Sequence, residues 1–589
     1  MRKKAFVSLL LGVVMVLTLA PMTVSAADIT VWIDSSALVD GENSIGGGTA
    51  TLNKTEGTLI LENVAADSII DIRADGTFTV TVKGSVSVGS DAAKTSGVAL
   101  YSTASDLSVH IEQGATLSLY TENGNNVYAN GGNLTVSGPG KLKAVAVAGS
   151  GDAYPCLVAT NNLTLNGGLI AELSSEWTGV YTEKGNIMAE SVNLTVTVDG
   201  IGLFAQTYDE VADEGIPSSV TLKDSAITIT SNYGDAAIFC GTGGLVVENT
   251  VLKTKADKDE EMGGYSLYSE GDVVIRGEQT EITADDAFGI ESGGTLYIEG
   301  GVVSVLSTDV ALLGWDGVSI TGGTVTATAE NNSAIIGRNG AVSITGANTR
   351  VTATANGEEA AIRNVTDGGI YLEASVTAVN TQGGKPFLGV KADKSEAIAL
   401  GEGFDLFGAQ IYTSVADNNS QSYFIPAGGD GSEPLTGSST LCKHVWGEPV
   451  WDWAQDYSGA TATFTCANDS SHTQTVTAGI SVQTTEATCG KDGQTVYTAS
   501  AALAGTNYGS QKTVVIPATG QHAYEDGKCT VCGAADPAYQ PAETPETPDG
   551  VENPDTGDYR QAALIAIFVL LMCAGLTGPA LAAVKRKSV

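Results

Sequence analysis

The chain has 589 residues, with 67 acidic against 29 basic side chains and a formal net charge of −38. Such a surface repels nucleic acid, whose binding depends on Lys and Arg side chains that neutralise phosphates, so nucleic-acid binding is excluded as a function. The 72 glycines and the low aromatic content of 6% favour short strands separated by turns over helices.

The first 26 residues have the pattern of a secretory signal peptide. A basic start, Met1-Arg2-Lys3-Lys4, precedes an apolar run from Ala5 to Ala20, and Val24-Ser25-Ala26 supplies a small-residue cleavage site. Such a segment is removed on export and does not belong to the fold. We therefore expect residues from about Asp28 to Asp558 to lie outside the cell membrane.

A glycine-punctuated unit recurs along the following part of the chain. In the copy from Thr295 to Val305, two short alternating strands flank a Gly-Gly corner, and a period of two puts Leu296 and Ile298 on one face. A third apolar piece precedes several units, as in Ala236–Phe239 and Ala334–Ile336. The first apolar residues of successive units lie 22 to 31 positions apart: Phe78, Leu107, Leu134, Leu163, Leu194, Val220, Leu245, Val273, Leu296, Val318, Val342 and Ile370.

Three short strands and three turns fit a coil of this length. The sequence therefore predicts an all-β fold whose main part, residues 28–425, is a right-handed parallel β-helix with capping strands that begin at Ile398 and at Tyr423. One coil cannot bury its inward face alone, so stacked neighbours must form the core. A β-propeller blade needs about 40 residues and four strands, and a leucine-rich repeat needs an Asn/Leu consensus that is missing here, so both are disfavoured.

The repeated pattern of an Ala-Ile step followed by Gly-Asp-Leu/Val-x-Ile-x-Gly-Gly-x-Val-x-Val resembles the adhesin-like β-helix domains of bacterial surface proteins. Some of those domains bind carbohydrate and share the pectate-lyase-like architecture, so the resemblance implies a glycan ligand. Outward aromatic side chains can stack on sugar rings, and ordinary packing is the alternative at each position. The candidate glycan contacts are Tyr265, Tyr268, Tyr297 and Trp315.

A polysaccharide lyase or glycosidase is the rival interpretation. It would need carboxylates in register on one outer face, and a lyase would also need Ca²⁺ and a base. No carboxylate pair clearly repeats in register, so we expect a protein that is not an enzyme, with calcium left open as a cofactor. The acidic candidates are Asp257-Lys258-Asp259-Glu260-Glu261, Asp285-Asp286, Asp309 and Asp316. The later coil arginines are Arg276, Arg338, Arg350 and Arg363.

After a linker at 426–440 the composition changes. Residues 441–534 hold five of the eight cysteines and three of the four histidines, and thiolate and imidazole are the donors that structural zinc prefers. Disulfides are the alternative, because the cell exterior is oxidising, although five cysteines would leave one unpaired. The segment carries the motifs Trp-Gly-x-Pro, Phe-Thr-Cys, Ala-Thr-Cys and Cys-x-x-Cys-Gly. With these motifs it resembles small β-rich C-terminal modules of surface proteins from gut Firmicutes, with which no function is associated. The two predicted zinc sets are Cys442, His444, Cys466 and His472, and Cys489, His522, Cys529 and Cys532.

The C-terminal region combines a proline-rich spacer (535–557), an uncharged run (561–584) and a basic tail (585–589). About 20 apolar residues span a bilayer as a transmembrane helix, and terminal cations stay on the cytoplasmic side. The spacer ends in Asn553-Pro554-Asp555-Thr556-Gly557, so the whole region resembles the cell-wall sorting signal of sortase-anchored Gram-positive surface proteins, with Asn553 in place of the Leu of the LPxTG motif. The resemblance implies sortase and peptidoglycan as partners, with attack at the Thr556 carbonyl. A plain membrane anchor is the alternative.

These features together predict a β-helix displayed at the cell surface, anchored to the cell wall, that acts in adhesion or carbohydrate binding. An extracellular polysaccharide-degrading enzyme and a passive structural protein of the wall are the two alternatives.

Overall fold

The computed structural model describes residues 29–149, 153–205, 208–209, 214–233, 236–256, 264–402, 404–405, 409–426, 428–468 and 470–542. The predicted signal peptide, sorting motif, membrane span and basic tail lie outside these residues. Within them the chain forms strands, turns and bends, and no helix there is long and apolar enough to cross a membrane.

The chain divides into two compact units. The first comprises the described parts of Met1–Trp453 together with Ala460–Ala478 and Ala501–Tyr508. The second comprises Ala454–Gly459, Gly479–Ser500 and the described residues from Gly509 onward.

The first unit is dominated by a parallel β-solenoid of about 13 turns, which confirms the predicted β-helix. Each turn places one strand on each of three faces, which we call faces A, B and C in chain order. The right-handed sense stays a prediction. The parallel strands of face A are Ile70–Arg73, Leu100–Ser102, Val127–Ala129, Leu157–Ala159, Val180–Thr182, Leu203–Ala205, Ala236–Cys240, Tyr265–Ser269, Phe288–Ser292, Leu312–Gly314, Ile335–Gly337, Ile362–Asn364 and Phe387–Lys391.

Faces B and C are ladders of the same kind. The parallel strands of face B are Thr58–Glu62, Thr77–Lys83, Asp106–Ile111, Asn133–Ser137, Leu163–Asn166, Ile187–Glu190, Ser219–Lys223, Gly244–Glu248, Val273–Arg276, Thr295–Ile298, Gly317–Ile320, Val342–Ile344, Ile370–Leu372 and Ile398–Leu400. Those of face C are Ala65–Ala66, Ser85–Val88, Thr116–Glu122, Lys141–Val147, Ile170–Ser175, Asn193–Val198, Ala226–Ser231, Val251–Lys255, Glu281–Asp286, Val302–Ser307, Thr324–Ala329, Arg350–Ala355 and Ser375–Asn380, with the short Thr95–Ser96 beside Thr116–Glu122.

Inward side chains stack in columns that run through the whole solenoid. Leu296 and Ile298 are buried and pair in register with Val318 and Ile320 of the next turn, as the period of two predicts. One of the residues predicted to begin a repeat unit is wrong, because Leu194 lies on face C, whereas the other predicted first residues lie on face B. Its place in the face B column is taken by Ile187, which pairs with Leu163 on one side and Val220 on the other.

The corner between faces B and C depends on glycine in the left-handed conformation. Gly301 has a φ of +82°, and a Cβ added there would lie 2.4 Å from the carbonyl oxygen of Thr280. The preceding Gly300 has no such φ, and its nearest neighbour would be 3.5 Å away. The second glycine of the Gly-Gly pair is therefore the one that the fold requires.

We expect Gly301→Ala to lower the free energy of unfolding by about 1–2 kcal/mol, the cost of a left-handed conformation for an L-residue, with the close contact adding to it. Chemical denaturation of the purified chain measures the loss. Gly300→Ala is the matched control and should stay within about 0.5 kcal/mol of wild type. Equal losses for the two variants would contradict the assignment.

Antiparallel strands close both ends of the solenoid and protect its edges from further strand pairing. At the first turns, Thr30–Ile33 pairs with face A and with Ser36–Ala37, and the hairpin Gly41–Ile45 and Gly48–Asn53 covers face B. At the last turns, Ser420–Pro426 closes face A and is itself paired with Ala409–Val415. The predicted capping strand at Ile398 is instead the last parallel rung of face B, since it pairs in register with Ile370–Leu372.

The final strand of face C, Ser375–Asn380, is covered by Ser438–Lys443, which also pairs with Phe404–Asp405. The predicted boundary at residue 441 thus falls inside a strand that is hydrogen-bonded to the solenoid. The remaining sheets in the two units are formed by Val450–Trp453, Ala460–Thr465 and Thr473–Thr477, and by Gly479–Thr485, Gly493–Leu503 and Thr506–Ile516. Two short hairpins, Tyr208–Asp209 with Glu214–Gly215 and Tyr524–Glu525 with Lys528–Cys529, complete the described strands.

Candidate functional site

Face A carries a continuous row of outward aromatic side chains. The strands of this face pair in register, so that Tyr181, Phe204, Phe239 and Tyr268 occupy one column on successive turns. Turns of a parallel sheet are about 4.8 Å apart, which brings the rings into contact. We call the row the aromatic ladder, and its members are Trp177, Tyr181, Phe204, Phe239, Tyr268, Tyr265 and Phe288.

The rings of the aromatic ladder hold one another in place. Phe239 stacks on Tyr268 with centroids 4.6 Å apart, and Tyr265 stacks on Phe288 at 4.8 Å. Tyr265 and Tyr268 are 5.1 Å apart and join these two pairs. Aromatic pairs of this kind add about 0.5–1.5 kcal/mol beyond the burial of their area, so the ladder forms an ordered, partly exposed apolar strip.

At one end the ladder opens into a cleft of about 400 Å³ on the same face. Tyr265 and Phe288 belong to both the ladder and the cleft wall. The floor is apolar, because Val310, Leu313 and Ile336 are buried there and Trp315 packs against them. The polar groups that line the cleft are Glu291, Asp309, Asn332, Arg338 and Arg363.

A hydrogen-bonded network fixes the orientation of Trp315. Its indole Nε1–H donates to Glu291 Oε1 at 2.9 Å, and the guanidinium of Arg338 lies 4.1 Å from the centre of its ring system. A cation over the face of a tryptophan ring is attracted by the ring's electrons. The indole is therefore clamped at its edge and at one face before any ligand arrives.

A second network crosses the other side of the cleft. Asn332 Nδ2 donates to Asp309 Oδ1 at 2.9 Å, and Arg363 Nη2 donates to Asn332 Oδ1 at 3.2 Å. Arg363 also forms an ion pair with Glu359. The carboxylates and guanidinium groups balance one another, so the cleft offers many donors and acceptors with little net charge.

The position of Glu291 affects its ionisation. Burial raises the pKa of this carboxyl group, and nearby Asp309 raises it further, whereas the Trp315 N–H and the Arg338 charge act in the opposite direction. The group accepts a hydrogen bond from Trp315 when ionised and keeps a second oxygen for other donors.

The structure brings together three of the four predicted glycan contacts. Tyr265 and Tyr268 lie on a strand of face A, and Trp315 directly follows the face A strand Leu312–Gly314; Tyr265 and Trp315 line the cleft and Tyr268 lies beside it. Tyr297 lies on face B, where it pairs between Val274 and Ser319.

The acidic and basic candidates are divided in a similar way. Asp309, Arg338 and Arg363 line the cleft. Arg276 is on face B, Arg350 and Asp285 are on face C, and Asp286 points into the core. Asp316 is exposed in the turn after face A, and the acidic insertion 257–261 lies outside the described residues.

The ladder and cleft residues that were not predicted from the sequence as glycan contacts include Tyr181, Phe204, Phe239, Phe288, Glu291 and Trp177. A signal for the first three was present, because each follows a Gly or Ala and one aliphatic residue and precedes a small one, as in Gly202-Leu203-Phe204-Ala205. This recurrence places an aromatic ring at one position of the face A strand on several turns.

Residues 217–423 match a family model described as carbohydrate-binding domain-containing protein. The matched segment contains every residue of the cleft and the ladder from Phe239 onward, and it ends within the strand that closes face A. No curated protein and no solved structure matches the chain. The carbohydrate-binding expectation drawn from the sequence agrees with the family match, and the matched segment includes the aromatic cleft.

The predicted zinc ligands form two clusters, each within one unit. In the second unit, the donor atoms of Cys489, His522, Cys529 and Cys532 all lie within 4.8 Å of one another. Backbone N–H groups of Cys532 and Val531 donate to the Cys529 sulfur and lower the pKa of this thiol.

In the first unit, the donor atoms of Cys442, His444 and His472 also lie within 4.8 Å of one another. Cys466 is not in that set, but its Sγ is 3.7 Å from the Sγ of Cys442. His444 stacks on Trp446 with a centroid separation of 4.6 Å.

Proposed function

We propose that this protein binds carbohydrate on face A, with one sugar ring in the cleft against Trp315 and further units of the same glycan along the aromatic ladder. The observation that carries the proposal is the coincidence of an aromatic cleft with the segment that matches a carbohydrate-binding family. Sugar rings present apolar C–H faces to aromatic side chains and hydroxyl groups to the polar rim. In this cleft the apolar floor and Trp315 would contact the C–H face of the sugar, and the polar rim would form hydrogen bonds with its hydroxyl groups.

The electrostatics of the cleft favour a neutral, hydroxyl-rich ligand. Glu291 and Asp309 accept hydrogen bonds from Trp315 and Asn332, Arg363 donates to Asn332, and Arg338 lies over the Trp315 ring. A neutral ligand can leave these contacts in place, whereas a strongly charged ligand would have to displace one of them.

Glycan-array binding by the full chain, purified in detergent, tests this function beside a reducing-sugar assay. We expect specific binding to a set of neutral oligosaccharides without release of new reducing ends. Release of reducing ends would favour the enzymatic alternative, with Glu291 and Asp309 as its carboxylates. Failure to bind any glycan would favour a passive wall protein.

We further propose that the protein acts as an adhesin held on the cell wall by sortase. The support is the sequence of the C-terminal region alone, in which the motif 553–557 precedes an apolar run and a basic tail. The spacer rich in proline would hold the solenoid away from the envelope, because such segments are extended.

We expect Thr556→Ala to move the protein from the wall fraction to the membrane fraction, because the backbone carbonyl remains but sortase would lose the threonine side chain of its recognition motif. Immunoblots of fractionated cells measure the distribution. Asp555→Ala is the matched control, since the middle residue of an LPxTG-type motif is variable, and it should leave the protein in the wall. Wall retention by the Thr556→Ala variant would leave a plain membrane anchor as the explanation of the C-terminal region.

A further inference from the structure

We propose that the two Cys/His clusters each bind one structural zinc ion and that the first of them fastens the strand that closes the end of the solenoid. The first centre consists of Cys442, His444, Cys466 and His472, and the second of Cys489, His522, Cys529 and Cys532. Neither the family match nor the carbohydrate cleft involves these residues. The proposal is therefore independent of the proposed function.

Distances in the second centre fit a tetrahedral zinc site. The Sγ atoms of Cys489 and Cys529 are 3.4 Å apart, and Cys532 Sγ lies 3.2 Å from His522 Nδ1. With Zn–S near 2.3 Å and Zn–N near 2.0–2.1 Å, tetrahedral geometry gives S···S separations of about 3.8 Å and S···N separations of about 3.5 Å. Both observed separations are shorter than these values, so an expansion of a few tenths of an ångström would accommodate the ion.

The backbone already brings the loops of this centre together. The amide of Gly520 donates to the Cys489 carbonyl at 3.1 Å, and the amide of Thr530 donates to the Ala523 carbonyl at 2.9 Å. The Cys-x-x-Cys turn is closed by the Gly533 amide, which donates to the Cys529 carbonyl at 2.9 Å. Three separate chain segments thus present their donors to one point.

The second unit has little else to stabilise it. Among its described residues, the buried apolar side chains are those of Cys489, Ala499 and Cys529. A unit with so small a core needs a metal or a covalent link to remain folded. Two of its three buried side chains are proposed ligands, so the centre of the unit is the metal site itself.

In the first centre the ligands come from two different sheets. Cys442 lies on Ser438–Lys443, the strand that pairs with the last rung of face C. Cys466 and His472 flank the turn between Ala460–Thr465 and Thr473–Thr477, and the Cys466 amide donates to the His472 carbonyl at 3.0 Å. The Sγ separation of 3.7 Å between Cys442 and Cys466 is close to the tetrahedral value.

A zinc ion at this point would join the strand that covers face C to the sheet that follows it. Loss of the ion would leave Ser438–Lys443 held by its ladder bonds to Ser375–Asn380 and Phe404–Asp405 and by local packing. A less protected edge strand is a template for pairing with a second molecule. Metal removal is therefore expected to loosen the C-terminal end of the solenoid.

The test is metal analysis of the full chain, purified in detergent without chelator, by inductively coupled plasma mass spectrometry. We expect two zinc ions per chain for wild type, one for Cys532→Ser and one for Cys466→Ser. Cys156→Ser is the matched control and should keep two, because Cys156 is buried in the solenoid core, where its thiol donates to the carbonyl of Ser174 at 3.1 Å. Substitution by Co²⁺ should give the visible absorption of tetrahedral thiolate coordination in wild type.

Hydrogen exchange tests whether the first zinc ion holds the strand Ser438–Lys443 in place, which metal content alone does not show. Chelation should accelerate amide exchange in Ser438–Lys443 for wild type but not for Cys466→Ser, which lacks the first ion from the start. Metal-free wild type in which mass spectrometry finds intact disulfides between these cysteines would overturn the proposal. Two bound zinc ions with exchange in Ser438–Lys443 unchanged by chelation would overturn the claim that the first ion fastens this strand.

Discussion

Replacing Trp315 by alanine is expected to weaken glycan binding by about ten- to hundredfold, which corresponds to roughly 1.4–2.8 kcal/mol. The indole forms part of the cleft wall, packs on the buried floor and holds both Glu291 and Arg338 in position. Interface residues with this combination of area and ordered polar partners contribute most of the binding energy. Isothermal titration of the best array ligand into the detergent-purified chain measures the change.

Tyr297→Ala provides the matched control for this experiment. It removes a partly exposed aromatic side chain of similar kind from face B, one turn away along the sequence, and should leave the affinity unchanged. Trp315→Phe should bind with intermediate affinity, because it keeps an aromatic face but loses the N–H that donates to Glu291. Loss of binding in Tyr297→Ala with normal binding in Trp315→Ala would move the site to face B.

Asp286→Asn is expected to make the chain more stable than wild type at neutral pH. The carboxyl group is buried in the solenoid core, and burial raises its pKa to about 6, with the Asp285 charge adding to the shift. It accepts hydrogen bonds from the Ala256 amide and from Thr254 Oγ1, which offset only part of the cost of burial. An amide at this position could accept from the same amide and would carry no charge.

The sign of the pH dependence follows from the direction of the shift. Well below pH 3.8, the ordinary pKa of an aspartate side chain, the carboxyl group is protonated in both the folded and the unfolded chain and has no effect on stability. Between that pH and about 6 only the unfolded chain ionises, so each pH unit removes about 1.4 kcal/mol from the stability of wild type. Above pH 6 the loss is complete.

Denaturation of wild type and Asp286→Asn at pH 4.5 and 7.5 therefore tests the prediction. We expect the difference in unfolding free energy between the two proteins to grow by about 2 kcal/mol in favour of the variant over this interval. Asp316→Asn, which removes an exposed carboxylate, should follow wild type. A difference between wild type and Asp286→Asn that does not change with pH would show that this carboxyl group binds its proton equally in the folded and unfolded chains, which contradicts a pKa raised by burial.

The inward residues of the solenoid could be predicted from the sequence, because the alternation of apolar and polar residues within each coil identifies them. Alternation identifies Leu296 and Ile298 as inward residues without knowledge of any neighbour, and the Gly-Gly corner marks where the strand ends. The same rule was available for Asp285-Asp286: since Ile282 and Ala284 point inward, the next inward position is Asp286. Period-two patterning thus predicts that Asp286 points inward and that Asp285 points to the other side of the strand.

The sequence was a poorer guide to the face of the solenoid on which each strand lies. Leu194 and Ile187 are each the first buried residue of a short alternating strand, and only pairing with the neighbouring turns assigns Leu194 to face C and Ile187 to face B. For the same reason Tyr297 and Trp315 were equivalent candidates in the sequence, although they point from different faces.

By itself, the sequence determined the repeat, the inward columns, the three strands per coil and the residue types that could bind zinc, because these depend on spacing along one short stretch of chain. Only the tertiary structure decided which aromatic side chains form a surface. Phe204 contacts Phe239, and Glu291 contacts Trp315, across turns of unequal length. Hydrogen-bonded register between neighbouring turns sets those contacts, and register is fixed when the turns stack, not within any one of them.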